Sequence, residues 1–426
     1  MSGALTLAAA RERDAADPLS RLRERFHFPR TAAGEPVTYL CGNSLGLQPK
    51  RTQDEVGAFL RQWQALGVLG YHDAQADWLN LHERLAPAAA MLTGARLPEV
   101  IVMNSLTINL HLLMASFYCP VRGRDAILLE QGAFPSDRYA AVSQLEWHGV
   151  GRDALVQVGP RPGEQLLRQE DLLAAIEREA PRLALVLLPG IQYLSGQYLD
   201  LAPLIAAAHR AGAIVGLDLA HAIGNVPLSL HDWGADFAVW CSYKYLNGGP
   251  GATAGAFVHE RHFEARRPRL AGWWGNELAT RFEFGTEFRP YRGAAGWQVS
   301  NHPLLGMVPL LASLPMFEEA GMTALRARSV ALTGWLERLL VERLGGRIEI
   351  LTPRDPERRG AQLSVRLRGT QGGGRALFDG LLARGLICDW REPDVIRLAP
   401  APLYNSFGDC WHAVAIVEEA LSAASA

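Results

Sequence analysis

Short apolar runs alternate along the chain with segments in which apolar residues recur every three or four positions. The segments QEDLLAAIEREAPR (169–182) and LAPLIAAAHRAGA (201–213) have this helical spacing. A repeated order of strand, helix and strand predicts a mostly parallel sheet covered by helices on both faces. The strand-like runs are EVIVMN (99–104), DAILLE (125–130), LALVLLPG (183–190), AIVGLDLA (213–220), FAVWCS (237–242) and GAFVHE (255–260).

The pattern changes after this alternating region. Residues 304–345 have the spacing of one or two long helices. The remainder contains the runs RIEILT, AQLSVRL, GLICDW and VIRLAP, which are typical of a small α+β domain. We therefore expect an α/β fold in three parts: an N-terminal segment (1–51), a large domain (52–301) and a small C-terminal domain (302–426). The stretch GTQGGG (369–374) predicts a turn or flexible loop.

Composition limits the class of partner. The 426 residues are 49% hydrophobic and 20% charged, with a formal net charge of -2, which is typical of a soluble globular protein with a large core. Such a chain has no basic field for nucleic acid or for an anionic membrane, so we expect a compact small-molecule substrate. The apolar runs are well short of the ~20 residues that span a bilayer, and no basic region precedes the N-terminal apolar patch, so we expect neither a membrane anchor nor a signal peptide.

Cysteine and histidine patterns bear on compartment and metal. The five cysteines are scattered and form no C-x-x-C pair, which predicts reduced thiols in a cytoplasm and no zinc site. The stretch HERH (259–262) lacks a third ligand and the spacing of a zinc protease, so we interpret it as a solvated helix start.

Polar and aromatic residues follow four of the predicted strands. Ligands of doubly wound sheets bind at the carboxyl ends of the strands, so these residues are the candidates for chemistry. Each alone has an ordinary explanation as a helix cap, a turn residue, a core residue or solvated surface. Together they put an anion cradle, an aromatic face, a carboxylate and an amine at one sheet edge. They are Thr107, Phe134, Asp137, Asp218, His221, Tyr243 and Lys244.

This combination matches the needs of pyridoxal 5'-phosphate. The aldehyde of that cofactor forms a Schiff base with a lysine, its ring nitrogen needs an acidic partner, its phosphate suits a helix N-terminus and its ring needs a flat apolar neighbour. Asp218 precedes Lys244 by 26 residues, with one helix and one strand between them. Both residues are therefore expected at the same edge of the sheet.

Six separated stretches resemble the kynureninase family, pyridoxal phosphate hydrolases of the aspartate aminotransferase superfamily (fold type I). The resemblance runs from about Tyr39 to Phe407. It implies hydrolysis of the Cβ–Cγ bond of L-kynurenine or of 3-hydroxy-L-kynurenine, giving anthranilate or 3-hydroxyanthranilate and L-alanine, in tryptophan breakdown or in precursor supply for NAD synthesis. The stretches are YLCGNSLGLQPK, MNSLTINLHLLMASFY, FPSDRYA, GLDLAHAIGNVPLSLHDWGADFAVWCSYKYLNGGPG, LAGWWGNELATRF and RLAPAPLYNSF.

The resemblance also implies residue roles at the cofactor. Lys244 would be the Schiff-base lysine and the base that moves the Cα proton, and Asp218 the partner of the ring nitrogen. Tyr243 is the candidate for proton transfer around the hydrated ketone. Trp273 and Asn301 would reach the site from a neighbouring subunit, which implies a homodimer. The remaining cofactor contacts implied are His221 beside Asp218, Phe134 stacked on the ring, Leu106 and Thr107 with Tyr243 at the phosphate, and Asp137 in the FPSD turn.

On the substrate side, an α-carboxylate calls for a bidentate arginine, and VIRLAP offers Arg397. The resemblance puts Asn43, Ser44 and His72 near the aryl ketone. It also puts Ser300 beside Asn301. One position departs from the family pattern, because Pro189 stands where many members carry a hydroxyl residue, and proline has no side-chain donor.

Two other functions compete with this interpretation. The stretch GNSLG (42–46) fits the nucleophile elbow of a serine hydrolase, although only 43 residues precede Ser44, too few for the strands that such a fold needs before it. A cysteine desulfurase or β-eliminating lyase would share the fold. A desulfurase needs a reactive cysteine on a mobile loop, whereas Cys388 lies in a strand-like run.

Overall fold

A computed structural model describes residues 5–283, 285, 287–368 and 374–424. Residues 369–373 of the predicted GTQGGG loop lie outside this described part. In chain order the strands are β1 (Thr38–Tyr39), β2 (Val100–Val102), β3 (Ala126–Glu130), β4 (Leu155–Val158), β5 (Leu183–Pro189), β6 (Ile214–Asp218), β7 (Phe237–Trp240), β8 (Gly255–Val258), β9 (Ile348–Ile350), β10 (Leu363–Leu367), β11 (Leu386–Ile387), β12 (Asp389–Arg391) and β13 (Val395–Leu398).

The helices alternate with the strands in the first half of the chain, as the periodicity predicts. They are α1 (Leu7–Ala16), α2 (Thr52–Leu66), α3 (Leu81–Thr93), α4 (Leu106–Phe117), α5 (Pro135–Trp147), α6 (Gln169–Glu179), α7 (Leu201–Arg210), α8 (Leu230–Trp233), α9 (Leu304–Met307), α10 (Leu310–Ala320), α11 (Met322–Leu344), α12 (Gly374–Ala383) and α13 (Phe407–Ala424).

A seven-stranded sheet forms the centre of the molecule, in the order β2-β8-β7-β6-β5-β3-β4. The pairs β4–β3, β3–β5, β5–β6 and β6–β7 are parallel, whereas β8 pairs antiparallel with both β2 and β7. The predicted mostly parallel α/β sheet is thus confirmed. Strands β3, β7 and β8 are buried along their whole length because helices cover both faces. The edge strand β4 was missed, since it is four residues long and exposes Gln157.

The helical segment after the sheet divides at Gly321. This residue has a φ of 74°, a left-handed conformation that ends α10 and begins α11. Leu310, Leu314 and Phe317 of α10 belong to the core of the large sheet, whereas α11 buries Leu336 and Leu340 in a second core. The predicted boundary between residues 301 and 302 stays a prediction, and α10 packs on the large-domain side of the molecule.

A four-stranded antiparallel sheet, β12-β13-β10-β9, forms the smaller unit. The run GLICDW divides into two strands: β11 pairs in parallel with β1, and β12 pairs with β13. The N-terminal segment is therefore shared: Leu40 lies in the core of this unit, whereas Leu22, Phe26 and Leu47 belong to the core of the large sheet. No single helix in the described part of the chain is long and apolar enough to cross a membrane. One pair of helices, bent by 86° between Ala320 and Met322, has the length and composition for a broken span.

Candidate active site

One pocket lies at the carboxyl ends of the central strands. Asp218 is the last residue of β6 and pairs in register with Val239 of β7, and Lys244 follows β7 by four residues. Parallel pairing therefore brings the carboxylate and the amine to the same edge. The pocket is lined by Leu106, Thr107, Glu130, Phe134, Asp137, Pro189, Ile191, Tyr193, Asp218, Ala220, His221, Tyr243 and Lys244.

Lys244 is held by a neighbouring imidazole. Its Nζ lies 3.2 Å from Nε2 of His221, and 5.8 Å from the ring centroids of both Phe134 and Tyr243. Burial, followed by the charge of Lys244, lowers the pKa of His221 well below its ordinary value, so this imidazole is neutral. A neutral ring can accept a hydrogen bond from the amine at Nε2.

Three carboxyl groups share the floor of the pocket. Oδ1 of Asp218 accepts a hydrogen bond from the backbone N–H of Ala220 at 2.7 Å. Burial raises the pKa of Asp218 and raises that of Glu130 to about 8. The pKa of Asp137 lies well above its ordinary value because of burial and the neighbouring charge of Asp218. Oδ1 of Asp137 is buried and has no hydrogen-bond partner among the described residues. The pocket thus offers buried oxygens that suit a ligand with an N–H donor.

Two helix N-termini meet at another wall. Helix α4 begins at Leu106 and α5 begins at Pro135, so their unpaired N–H groups and positive dipole ends favour an anion. The hydroxyl oxygens of Thr107 and Ser136 lie 3.0 Å apart across this junction. Ser136 was not singled out from the sequence, although its place at the start of α5 after FP was a usable signal.

These side chains fit pyridoxal 5'-phosphate group by group. The amine of Lys244, the carboxylate of Asp218 and the flat ring of Phe134 are the three partners that its aldehyde, ring nitrogen and ring face need. The hydroxyls of Thr107 and Ser136 at the helix N-termini suit its phosphate. The orphaned oxygen of Asp137 completes a set of acceptors on the same side as Asp218.

A buried arginine adjoins this pocket. Arg397 of β13 is 1% exposed, and burial lowers its pKa only to about 10, so it stays charged at neutral pH. Its Nη1 donates to the carbonyl oxygen of Tyr193 at 2.6 Å, and its Nη2 donates to Ser44 Oγ at 3.2 Å and to Asp389. The Tyr193 ring packs edge-on against Phe134 with centroids 5.4 Å apart, which links the arginine to the cofactor pocket.

Known proteins resemble this chain over nearly its whole length. A family model described as "Kynureninase C-terminal domain" matches residues 325–417. A kynureninase of Xanthomonas campestris is 52% identical over 419 residues, covering 98% of this chain and 99% of the relative. A kynureninase of Myxococcus xanthus is 52% identical over 411 residues, covering 96% of each. The chain belongs to the kynureninase family.

Solved structures of more distant proteins share the fold. A cysteine desulfurase from Escherichia coli has a TM-score of 0.76 at 20% identity, covering 95% of this chain and 98% of its own. A cystine C–S lyase with its product cysteine persulfide has a TM-score of 0.75 at 18% identity, covering 90% and 97%. At these identities the likeness shows the fold alone. It is the pyridoxal phosphate type I fold that the sequence predicts.

Four predicted site residues of this kynureninase-family chain lie away from the pocket. Asn43 is buried and donates to Gln362 Oε1 at 2.9 Å. His72 and Asn301 are exposed, and Trp273 is 49% exposed, packed edge-on against Phe282. A single chain does not bring these side chains to Lys244. Their predicted roles stay predictions.

Sequence reasoning missed Glu130, Ile191, Tyr193 and Ala220 of the pocket, and also Asp389 beside Arg397. Glu130 ends β3 and carried the same strand-end signal as Asp218, whereas Tyr193 lies in a loop without any pattern. Asp389 pairs in register with Arg397 across β12 and β13. Pro189 is the parallel partner of Asp218, so the residue that departs from the family pattern does face the pocket.

The serine-hydrolase alternative does not fit Ser44. In a nucleophile elbow the serine hydroxyl gives its proton to a histidine. Here Ser44 Oγ donates to a carboxylate oxygen of Asp389 and accepts from Arg397. The GNSLG turn therefore belongs to the arginine side of the pocket.

The HERH interpretation was wrong about solvation. His259 does cap a short 3₁₀ helix, but His262 is 6% exposed, with its Nε2 2.7 Å from Asp236. The buried Asp236 carboxylate also contacts His209 and Arg261, because a buried charge needs several hydrogen-bond donors around it.

Glu99, His231 and His259 form a second cluster, with their ligand atoms within 4.8 Å of one another. Glu99 there contacts His231 Nδ1 at 2.9 Å and accepts backbone N–H bonds from residues 96 and 260.

Proposed function

We propose that this chain is a hydrolase that cleaves the Cβ–Cγ bond of L-kynurenine or 3-hydroxy-L-kynurenine, with pyridoxal phosphate on Lys244. One observation carries the proposal. Lys244, at one end of the pocket, and the guanidinium of Arg397 are joined by the edge-packed rings of Phe134 and Tyr193. The arrangement suits an amino acid whose amine reacts at Lys244, whose carboxylate binds Arg397 and whose aryl group packs on aromatic walls.

Each residue has a distinct task in this proposal. When bound, pyridoxal phosphate supplies an aldehyde for amines and a ring that takes up electrons from Cα. Asp218, with its charge favoured by the backbone N–H of Ala220, holds the proton of the ring nitrogen. Lys244 moves the Cα proton, and neutral His221 orients it through the 3.2 Å contact. Thr107 and Ser136 hold the phosphate.

Tyr243 is the proposed proton carrier at the ketone. Burial raises the pKa of its phenol, so the hydroxyl stays protonated at neutral pH and can donate to an oxygen that develops charge. Its ring lies 5.8 Å from Lys244 Nζ. The phenol and the amine can therefore serve two sites of one substrate, the ketone and Cα.

We also propose a cytoplasmic homodimer that binds neither nucleic acid nor membrane. Several large apolar side chains around the loop of Trp273 are exposed in the single chain, namely Leu278 (56%), Phe282 (68%) and Trp273 (49%), together with Trp63 (56%) and Leu69 (62%) near His72. Exposed apolar groups of this size favour a protein partner. A second copy would bring Trp273 and Asn301 to the site. Sedimentation at micromolar concentration tests the dimer.

The cysteine desulfurase alternative needs an exposed, reactive thiolate. Cys388 is 4% exposed between β11 and β12, and burial raises its pKa. Cys119 is exposed but lies outside the pocket, and partial desolvation of its thiol raises its pKa. Neither of these two thiols therefore supplies the reactive thiolate of a desulfurase.

The sequence makes the decisive experiment simple, because it contains two lysines, Lys50 and Lys244. We expect purified protein to bind pyridoxal phosphate, to become covalently labelled by borohydride, and to carry that label on the peptide of Lys244. Lys244→Ala should abolish labelling and the release of anthranilate or 3-hydroxyanthranilate. Lys50→Ala is the matched control and should retain both. Label on Lys50, or full turnover by Lys244→Ala, would contradict the proposal.

A further inference from the structure

An internal carboxylate holds the substrate-binding arginine. We call Ser44, Asp389, Arg391 and Arg397 the Asp389 cluster. Oδ2 of Asp389 accepts from Ser44 Oγ, from Arg397 Nη2 and from Arg391 Nη2, the last at 3.1 Å. The head of the proposed carboxylate-binding arginine thus already has a carboxylate partner inside the chain.

The two arginines of the cluster differ in freedom. Arg397 is fixed, since its side chain is 1% exposed and its other head nitrogen donates to the carbonyl oxygen of Tyr193. Arg391 has a side chain that is 36% exposed and lies over the same Tyr193 ring, 5.7 Å from its centroid. Arg391 and Asp389 are two residues apart on β12, so both project from the same face of the strand. Arg391 can therefore follow Asp389 if that carboxylate moves.

The charges of the cluster leave room for one more anion. Two guanidiniums face one carboxylate, so one positive charge is unbalanced in a largely buried site. The Nε atoms of both Arg391 and Arg397 are buried and have no partner among the described residues. Unpaired buried donors on a cation favour a second carboxylate.

We propose that Asp389 is a positioning residue that occupies Arg397 in place of the substrate α-carboxylate, and that it leaves Arg397 and is held by Arg391 alone when that carboxylate binds. The inference rests on the proposed function for the identity of the substrate. Asp389 keeps the buried guanidinium oriented and paired in the absence of substrate. Asp389 also competes with the substrate. The binding free energy of a carboxylate is therefore the difference between the free energy of its own ion pair with Arg397 and that of the Asp389–Arg397 pair it replaces.

Binding of a carboxylate that cannot react tests the exchange. The probe is 4-oxo-4-phenylbutanoate, which has the carboxylate and aryl ketone but no amine, and 4-oxo-4-phenylbutanamide is its uncharged match. Calorimetry on the holoenzyme is expected to show that Asp389→Asn binds the acid about three- to tenfold more tightly, with the amide unchanged. The affinity of this variant for the acid should also fall more steeply with salt concentration, because the cluster gains a net positive charge.

A variant of the same hairpin provides the control. Asp394 is paired with Arg366 at 3.2 Å on the other side of β13, and its side chain is 31% exposed. Asp394→Asn should leave the affinity for the acid as in wild type. Unchanged or weaker acid binding by Asp389→Asn overturns the proposal, and so does an equal gain for acid and amide.

The second arginine gives an independent test, also if Asp389→Asn does not fold. Arg391→Gln removes the group that receives Asp389, so the acid should bind at least about threefold more weakly while the amide does not change. In the double variant with Asp389→Asn, the effect of Arg391→Gln should shrink, since there is no carboxylate to receive. Equal losses in both backgrounds contradict the exchange.

Failure of the proposed function gives a different result. If wild-type holoenzyme releases no anthranilate or 3-hydroxyanthranilate, yet Asp389→Asn tightens acid binding, the function is wrong and the exchange is upheld. If turnover is normal and the acid affinity does not rise in Asp389→Asn, the exchange alone is wrong.

Discussion

The backbone N–H of Gly46 donates to the carbonyl oxygen of Tyr243 at 2.8 Å. This bond fastens the N-terminal GNSLG turn onto the segment that carries Lys244. A Cβ on residue 46 would lie 2.9 Å from Cα of Asn247, closer than side chains approach backbone. Glycine at this position therefore serves close approach of two chain segments rather than a nucleophile elbow.

Gly46→Ala should displace the Lys244 segment. Overpacking of this kind costs about 1–3 kcal/mol, and we expect a lower Tm, weaker cofactor binding and slower turnover together. Gly334→Ala in α11 is the control, since a Cβ there meets nothing within 4 Å. That control should stabilise the protein by about 0.5–1 kcal/mol through helix propensity. Wild-type cofactor affinity in Gly46→Ala would contradict the close-approach role.

Tyr243→Phe removes the proposed proton carrier and keeps the ring. We expect kcat to fall on the order of 10²-fold, with the dissociation constant of pyridoxal phosphate changed far less, because proton transfer is lost while most contacts remain. Tyr245→Phe is the matched control. The Tyr245 hydroxyl is buried and has no partner among the described residues, so turnover should stay close to wild type. Equal kcat values for the two variants would exclude the role.

Asp218→Asn should separate stability from activity. Burial raises the pKa of Asp218 in the folded protein, so the folded apoprotein holds this proton more tightly than the unfolded chain does, and stability declines as the pH rises above about 4. Removing the charge is expected to raise the Tm of the apoprotein at pH 7. Turnover should fall on the order of 10²-fold, since the ring nitrogen loses its charged partner.

Thermal unfolding and turnover of Asp218→Asn are measured on the same preparations. A variant that loses apoprotein stability at pH 7 would show that the carboxylate is compensated in the folded state. Asp232→Asn, on the exposed face of α8 where Ser229 is its partner, is a surface control.

The imidazoles of His82 and His302 should make the protein acid-sensitive. Their ring centroids lie 4.0 Å apart with the planes tilted by 31°, and burial lowers the pKa of His82 to about 4 and that of His302 to about 3. The unfolded chain takes up these protons from about pH 6.5 downward, before the folded protein does. The free energy of unfolding is therefore fully present above pH 6.5 and falls below it, by up to about 1.4 kcal/mol per pH unit for each imidazole.

Denaturant unfolding between pH 8 and pH 4 measures this slope. His82→Phe keeps a ring against His302 but removes one titrating group, so its curve should be flatter than that of wild type below pH 6.5. Two parallel curves would show that other groups carry the acid sensitivity. Because His302 also contacts Trp274 Nε1 at 3.2 Å, its protonation should loosen the loop of Trp273 first.

The sequence by itself determined the alternating α/β sheet and the edge at which the chemistry lies. Parallel strands have their carboxyl ends on one side, so Asp218, Phe134, Thr107 and Lys244 could be assigned to one pocket from their positions after apolar runs. Periodicity also located α10 and α11, though the break at Gly321 depended on a left-handed backbone that no pattern specified.

Only the tertiary structure decided how the substrate side is built. Arg397 meets Tyr193 across 204 residues and Ser44 across 353, and such pairings leave no periodic signal in the chain. The same holds for Asp389, whose contact with Arg397 depends on the register of two short strands. The pKa values of the pocket carboxyl groups depend on burial, which is a property of the packed molecule and cannot be seen in any one segment of the sequence.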